Sequence, residues 1–229
     1  MASLICLLGF GYFAYQFVME SQRYHSGDVL YQQLRSEEIV TDDDTVMFDF
    51  DELYQINSSV IAWIKIDDSV IDYPVVQGSD NEYYLNHLFD KTVNKMGSIF
   101  MDYRSNDDFS DRNTIIYGHN MKNGSMFAAL TAYQQQDFYN THQTISLYTV
   151  TNNYEVLIFA GFLTESTADY LQLTFVDDQD FLNYVAALRS ASDFESTVSV
   201  DADDRLITLS TCAYDFADAR YALYGIIKN

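Results

Sequence analysis

The sequence predicts a mainly β fold, either a barrel or a sandwich, with helices at the N-terminal end and between some strands. Eight short runs rich in β-branched and aromatic residues follow one another between residues 60 and 227, and turn-forming Gly, Asp and Asn separate many of them. The chain has 229 residues, of which 48% are hydrophobic, and only one proline. This composition is sufficient for one sizeable core and favours packed strands over a disordered chain.

The strands are predicted where apolar runs are bounded by turn residues. In chain order they are Val60–Ile66, Ile71–Val76, Ser98–Met101, Thr114–Tyr117, Thr144–Thr149, Tyr154–Leu163, Arg205–Ser210 and Tyr221–Ile227.

Helices are predicted at five places. The strongest pattern covers residues 178–194, where Phe181, Leu182, Val185 and Leu188 fall on one face. Shorter helices are predicted within 26–38, after Asp49 or Asp51, within 81–89 and within 125–142, and residues 39–48 are predicted to be a linker.

The N-terminal segment is strongly apolar from Leu4 to Met19, and no small-residue cleavage pattern follows it. We expect an uncleaved membrane anchor at residues 1–22, whose completeness the sequence leaves open; a buried helix is the alternative. Residues 23–48 would then form the N-terminal helix and linker, and residues 49–229 the main domain.

The formal net charge of −22 argues against nucleic-acid binding, because no basic stripe is available to contact phosphates. The acidic residues are interpreted mainly as a solvated surface. No cysteine or histidine pair has zinc-ligand spacing, no EF-hand loop is complete and no G-x-S-x-G turn occurs. The sequence therefore indicates no metal and no serine triad.

A possible thiol site lies near the C-terminus. Cys212 ends one predicted strand and Arg220 precedes the next, so an antiparallel pair would bring both to one end of the sheet. His119 closes another predicted strand in a Gly-His-Asn turn. A thiolate, an acid–base group and a permanent cation are what cysteine acyl transfer requires. The alternatives are a buried structural cysteine and a histidine that only shapes a turn.

Three segments together resemble the sortases, the cysteine transpeptidases of Gram-positive cell surfaces, and among them class B. They are IDYPVVQGSDNEYYLNH from Ile71, YGHNMKNGSMFAAL from Tyr117 and TLSTCAYDFADARYALYG from Thr208. The resemblance covers about residues 49–227, nearly the whole main domain. It implies an eight-stranded sortase-type β-barrel with N-terminal helices and a helix before the cysteine strand.

The resemblance also implies the chemistry. Cys212 would be the nucleophile, His119 the acid–base group and Arg220 the residue that binds substrate or stabilises the oxyanion. The chain would cleave a sorting signal after threonine and transfer the acyl group to a cell-wall precursor amine, with no cofactor. It would be a single-pass membrane protein with an extracellular catalytic domain at residues 49–229. Weaker candidates for peptide contact are Asn81, Tyr84, Leu85, Tyr117, Asn120, Ser210 and Thr211.

Three other functions stay open on the sequence alone. A pilus-assembling sortase would use a pilin lysine as the amine, and the partner, not this chain, would make the difference. A cysteine hydrolase would release the peptide to water. A membrane-tethered binding domain without catalysis would use Cys212 only for packing.

Overall fold

The fold is described from a computed structural model, which covers residues 2–36, 38–40, 46–166 and 170–228. Eight strands close into a barrel in the spatial order β10-β8-β7-β3-β4-β5-β6-β9. These strands are β3 (Val60–Lys65), β4 (Asp72–Gln77), β5 (Ile99–Met101), β6 (Asn113–Tyr117), β7 (Thr144–Thr149), β8 (Asn153–Glu165), β9 (Leu206–Cys212) and β10 (Ala219–Lys228). The predicted eight-stranded β-barrel is thereby confirmed.

The N-terminal elements lie before the barrel in the chain. Helix α1 spans Ala2–Arg35, and β1 (Glu38–Val40) pairs antiparallel with β2 (Val46–Phe48). Helix α2 spans Phe50–Ile56 and begins at Asp49, whose side chain accepts a hydrogen bond from the Glu52 N–H at 3.1 Å. This is the N-terminal cap expected where an aspartate precedes an apolar helix.

Three neighbouring strands position the region around Cys212. β9 lies parallel to β6 on one side and antiparallel to β10 on the other. Every residue of β9 from Leu206 to Thr211 is buried, and Cys212 is the first to become partly exposed. The strand therefore leaves the core at the cysteine, where a side chain can meet solvent or a ligand.

The core consists of the barrel interior and a second apolar layer outside it. Trp63, Phe100 and Leu209 are among the buried side chains of the interior. Helix α4 (Asp178–Ala191) covers the outer face of β8 and β10 with Phe181 and Leu188, which belong to the second apolar cluster. The apolar face predicted for this helix is thus the face that packs against the barrel.

The predicted helices and the predicted linker are found with two differences. The region 125–142 contains a 3₁₀ helix at Ala128–Gln134 and helix α3 at Gln136–Thr141, as expected. The region 81–89 contains only a 3₁₀ turn at Tyr83–Leu85, and the region 39–48 holds most of the β1–β2 pair as well as residues 41–45, which lie outside the described part.

The predicted membrane anchor is not supported. Among the residues that the structure describes, no helix is long and apolar enough to cross a membrane. The apolar run from Leu4 to Met19 would extend roughly 24 Å at 1.5 Å per residue, and α1 continues directly into polar residues such as Glu20 and Arg23. The prediction of a single-pass membrane localisation is therefore wrong.

Candidate active site

The three strongest candidate residues line one cavity at the rim of the barrel. Cys212, His119 and Arg220 all contribute to a cleft of about 380 Å³. The structure therefore brings His119 together with Cys212, which lies 93 residues (212 − 119) further along the chain, and with Arg220, which lies 101 residues (220 − 119) further. The complete lining is Asn81, Leu85, Phe100, Tyr117, Gly118, His119, Tyr170, Ser210, Thr211, Cys212 and Arg220.

Cys212 and Arg220 face each other across two antiparallel strands. They are direct register partners at the ends of β9 and β10. Side chains at such positions have Cβ atoms only about 4.5–5.5 Å apart. The Arg220 guanidinium donates one hydrogen bond to the Ala219 carbonyl at 2.9 Å, which holds its stem over the strand end. Within the described part of the chain, its other N–H groups have no hydrogen-bond acceptor and can donate to an oxygen that enters the cleft.

The loop that carries His119 is bound to the cysteine strand. Tyr117 is the register partner of Ser210 in the parallel β6–β9 pair. One residue further, the Gly118 N–H donates to the Ser210 carbonyl at 3.2 Å, and the Thr211 hydroxyl donates to the Gly118 carbonyl at 2.7 Å. Backbone and side-chain bonds therefore fix the position of His119 relative to β9.

Position 118 accepts no larger residue, because a Cβ there would lie 2.4 Å from Ile99 Cδ1 and 2.8 Å from the Phe127 ring. This close approach is the physical reason for a glycine before the histidine.

The imidazole of His119 has a defined orientation. Its Nε2 lies 2.8 Å from the Leu85 carbonyl oxygen. Because a carbonyl oxygen only accepts hydrogen bonds, Nε2 carries a proton and Nδ1 is the nitrogen left for proton transfer. The His119 carbonyl also accepts from the Phe127 N–H at 2.9 Å, so the residue is held at both ring and backbone.

A buried carboxylate supports the opposite wall of the cavity. Asp102 is 0% exposed and accepts hydrogen bonds from Arg104, Asn81 and Tyr117. Burial alone would raise the pKa of Asp102, but these hydrogen bonds outweigh it and lower the pKa to about 2. The same neighbourhood raises the pKa of Tyr117, first through burial and then through the adjacent negative charge. Asp102 is therefore ionised and Tyr117 protonated at neutral pH.

Tyr170 is a wall residue that sequence reasoning missed. Its hydroxyl lies 3.2 Å from Ser210 Oγ, and burial raises the pKa of Tyr170. Its carbonyl accepts from the hydroxyls of Tyr184 and Tyr224 at 2.8 and 2.9 Å, which join α4 and β10 to this wall. Tyr170 belongs to none of the quoted motifs and lies 42 residues (212 − 170) before Cys212. The sequence therefore contained no pattern that places Tyr170 near the cleft.

The weaker candidates divide into two groups. Asn81, Leu85, Tyr117, Ser210 and Thr211 line the cavity, whereas Tyr84 and Asn120 do not. Tyr84 is buried, and its hydroxyl accepts from the Asn57 side chain at 3.0 Å. The Asn120 carbonyl accepts from the Tyr214 hydroxyl at 2.6 Å. Phe100 and Gly118 are further lining residues that sequence reasoning did not select.

In the described part of the chain, no group of three or more His, Cys, Asp or Glu side chains is arranged to hold a metal ion.

Comparisons with known proteins identify the family of the chain. The Sortase domain family matches residues 64–227. A sortase B of Listeria monocytogenes is 43% identical over 176 residues, which cover 76% of this chain and 72% of the relative. The Staphylococcus aureus sortase B–substrate complex has a TM-score of 0.80 and 30% identity, with 92% of this chain and 99% of that chain covered.

A further sortase B structure, solved in complex with triglycine, has a TM-score of 0.75 and 34% identity, with 79% of this chain and 85% of that chain covered. The sortases are cysteine transpeptidases, and class B members are the relatives found among both the curated proteins and the solved structures. The chain belongs to the sortase family and is a class B sortase, a cysteine transpeptidase of the kind that attaches proteins to the cell wall.

Proposed function

We propose that this sortase cleaves a peptide sorting signal after threonine and transfers the acyl group to an amine of a cell-wall precursor. The observation that carries the proposal is the direct pairing of Cys212 with Arg220 at a strand end, with His119 lining the same cleft. A nucleophile, a proton carrier and a fixed cation in one cleft are the groups that an acyl-transfer site requires. Residues 49–229 form the catalytic domain in this proposal.

In the first step, the Cys212 thiol gives its proton to His119 Nδ1, and the resulting thiolate attacks the carbonyl carbon of the threonine, so that a new S–C bond forms. Arg220 donates hydrogen bonds to the oxygen that becomes negative. His119 delivers a proton from Nδ1 to the leaving nitrogen, since Nε2 remains bonded to the Leu85 carbonyl. The C–N bond then breaks, which leaves a thioester on Cys212 and releases the amine end of the peptide.

In the second step, the incoming amine attacks the thioester carbon and His119 Nδ1 accepts its proton. The new C–N bond replaces the S–C bond, and the sulfur leaves as thiolate. Water competes with the amine, so peptide hydrolysis is the expected activity when no amine is supplied. The related sortase B solved with triglycine supports a glycine amine as the acceptor to try first, and a lysine amine represents the pilin alternative.

The peptide would lie along the residues that line the cleft. Asn81, Leu85, Tyr117, Ser210 and Thr211 are our candidates for direct contact. Tyr84 and Asn120 would act indirectly, because their hydrogen bonds join the supporting loops.

The decisive experiment is cleavage of a peptide library with triglycine, with a lysine-containing peptide and without added amine. We expect the wild-type chain to release the C-terminal fragment in all three cases and to form an amide with its preferred amine. Cys212→Ala should show no turnover, whereas Cys6→Ala, which removes the other cysteine, should match wild type.

Equal activity of the wild-type chain and Cys212→Ala would refute the proposal. Formation of acid product alone, at every amine concentration, would replace the transpeptidase by a cysteine hydrolase. Preference for the lysine peptide would replace the wall precursor by a pilin acceptor.

A further inference from the structure

We propose that Asp102 is a positioning residue for peptide recognition, which acts by fixing the side-chain amide of Asn81 so that one of its N–H groups is offered to the peptide. The inference rests on the proposed function, because it assigns a task to a wall of the same cleft. It concerns a residue outside the cysteine, histidine and arginine motifs and outside the cleft lining itself.

The backbone of Asp102 is fixed directly after β5. Its N–H donates to the Ile115 carbonyl of β6 at 2.9 Å. Its carbonyl accepts from the Gln77 side chain of β4 at 3.0 Å and from the Ser105 N–H at 3.0 Å. Because neighbouring strands hold it on both sides, the carboxylate has a constant position relative to the cleft.

The carboxylate itself has only hydrogen-bond donors around it. Oδ1 accepts from Arg104 Nε at 2.8 Å and from the Arg104 N–H at 3.0 Å. Oδ2 accepts from Arg104 Nη2 at 2.7 Å, from Asn81 Nδ2 at 2.9 Å and from the Tyr117 hydroxyl at 2.9 Å. The two-pronged arginine contact neutralises the buried charge and leaves Oδ2 to direct the two cleft residues.

The amide of Asn81 consequently has one possible orientation. Its Nδ2 faces an oxygen that only accepts, and its Oδ1 accepts from the Tyr103 N–H at 3.0 Å, a group that only donates. Among the described residues, the second Nδ2 hydrogen has no acceptor, and Asn81 lines the cleft that holds Cys212. The free donor suits a peptide carbonyl oxygen, which makes backbone recognition the task of this wall.

Replacing Asp102 by asparagine tests this arrangement with almost no change in volume. The introduced side chain would offer one acceptor oxygen where two now serve Arg104, Asn81 and Tyr117, and its own NH₂ group would oppose one of these donors. The amide of Asn81 would lose its fixed hydrogen-bond acceptor and would no longer be held in one orientation. A residue with only a structural task would instead lower stability without a selective effect on peptide binding.

The test is a double-mutant cycle with Asp102→Asn and Asn81→Ala, using the peptide that the wild-type chain cleaves best in the library. We expect Asp102→Asn to raise KM about tenfold, the size of one lost hydrogen bond between the Asn81 amide and the peptide, with kcat within about twofold. In the Asn81→Ala background, the same change should alter KM by less than about twofold. The control is Asp107→Asn, which changes an exposed aspartate five positions (107 − 102) further along the chain. This variant should leave KM unchanged.

Equal effects of Asp102→Asn in both backgrounds would overturn the proposal, as would a loss confined to kcat. If Asp102→Asn does not fold, Arg104→Lys serves in its place, because that side chain is 49% exposed and the change keeps the charge but removes the two-pronged contact. The same non-additivity with Asn81→Ala is then expected, and additivity would again refute the idea.

A wild-type chain that cleaves no peptide would refute the proposed function, and the positioning role is then decided without activity. In the NMR spectrum, the two side-chain amide hydrogens of Asn81 should have well-separated shifts in the wild-type chain and in Asp107→Asn, because one is bonded to Asp102. The difference between the two shifts should become smaller in Asp102→Asn, or in Arg104→Lys. Unchanged Asn81 signals would overturn the inference.

Discussion

At the scale of single residues, the orientation of His119 depends on backbone groups that carry no chemistry of their own. The Leu85 carbonyl fixes the ring through Nε2, and Gly97 lies against the ring edge, where an added Cβ would come within 3.1 Å of His119 Cδ2. Gly97 also has φ +62°, which favours glycine. Leu85 and Gly97 together support the imidazole ring. The orientation of His119 therefore depends on turns more than twenty residues away along the chain.

We predict that Gly97→Ala lowers both stability and activity. A Cβ at this position would lie 2.6 Å from the Tyr84 carbonyl oxygen and 2.8 Å from that of Leu85, in addition to the strain of a positive φ. The strain alone costs about 1–2 kcal/mol. We expect a loss of about 2–4 kcal/mol in the free energy of unfolding. We also expect at least a tenfold lower kcat/KM, because the backbone that supports the His119 ring is displaced.

Gly124→Ala is the matched control for this change. Its φ is +85°, but nothing lies within 4 Å of the added Cβ. Denaturant unfolding should therefore show only the loss of about 1–2 kcal/mol that a positive φ causes, and peptide cleavage should stay at the wild-type level. Equal activity of the two variants would contradict the role of Gly97 in supporting the His119 ring.

The residues that sequence reasoning could find are those whose type and strand-end position indicate chemistry. Cys212, His119 and Arg220 share one cleft, as expected, while their catalytic roles remain predictions. Asp102 could not be found in this way, because it is one of 34 acidic residues and nothing in its local sequence shows that it is buried. Its importance arises only when β4, β5 and β6 come together around it.

At the scale of elements, the β9–β10 loop and the His119 loop are joined above the cleft. The hydroxyl of Tyr214, two residues after the cysteine, donates to the Asn120 carbonyl at 2.6 Å. The tyrosine ring itself is 64% exposed, so packing contributes little to its position. This hydrogen bond joins the loop after Cys212 to the loop that carries His119.

We predict that Tyr214→Phe loosens both loops. Because the ring is exposed, the loss in the free energy of unfolding should be at most about 1 kcal/mol, while kcat/KM falls roughly three- to tenfold. Hydrogen exchange should become faster at residues 119–126 and 213–218 in this variant. Tyr54→Phe, which changes an exposed tyrosine on α2, should alter neither property. Unchanged exchange in Tyr214→Phe would show that the loops are held by other contacts.

Elements were predictable where local pattern and tertiary packing agree. Helix α4 and the eight barrel strands follow from apolar periodicity alone. The helix predicted within 81–89 stops at Leu85, because the Tyr84 carbonyl accepts from the distant Ser98 N–H at 2.9 Å instead of continuing a helix. The linker predicted at 39–48 contains parts of a strand pair, which depends on cross-strand partners that propensity does not reveal.

At the scale of the whole molecule, barrel closure brings the site together and the net charge surrounds it. The site requires β6, β9 and β10 to be adjacent, although more than 80 residues separate β6 from β9 in the chain. The formal net charge of −22 then produces a negative potential around a cleft whose own cation is Arg220. Exposed Glu82, Asp215 and Asp218 lie in segments that flank the cleft.

This charge predicts a salt-dependent preference among peptides. A peptide with lysines outside the cleaved segment should be attracted by the acidic surface, and salt should weaken the attraction because the screening length falls from about 10 Å at 0.1 M to about 3 Å at 1 M. We expect KM for the lysine-flanked peptide to rise about three- to tenfold between low and high salt. A glutamine-flanked peptide with the same cleaved segment is the control, and its KM should change by less than about twofold. If both peptides respond equally, the acidic surface does not guide substrate, and only solubility remains as its task.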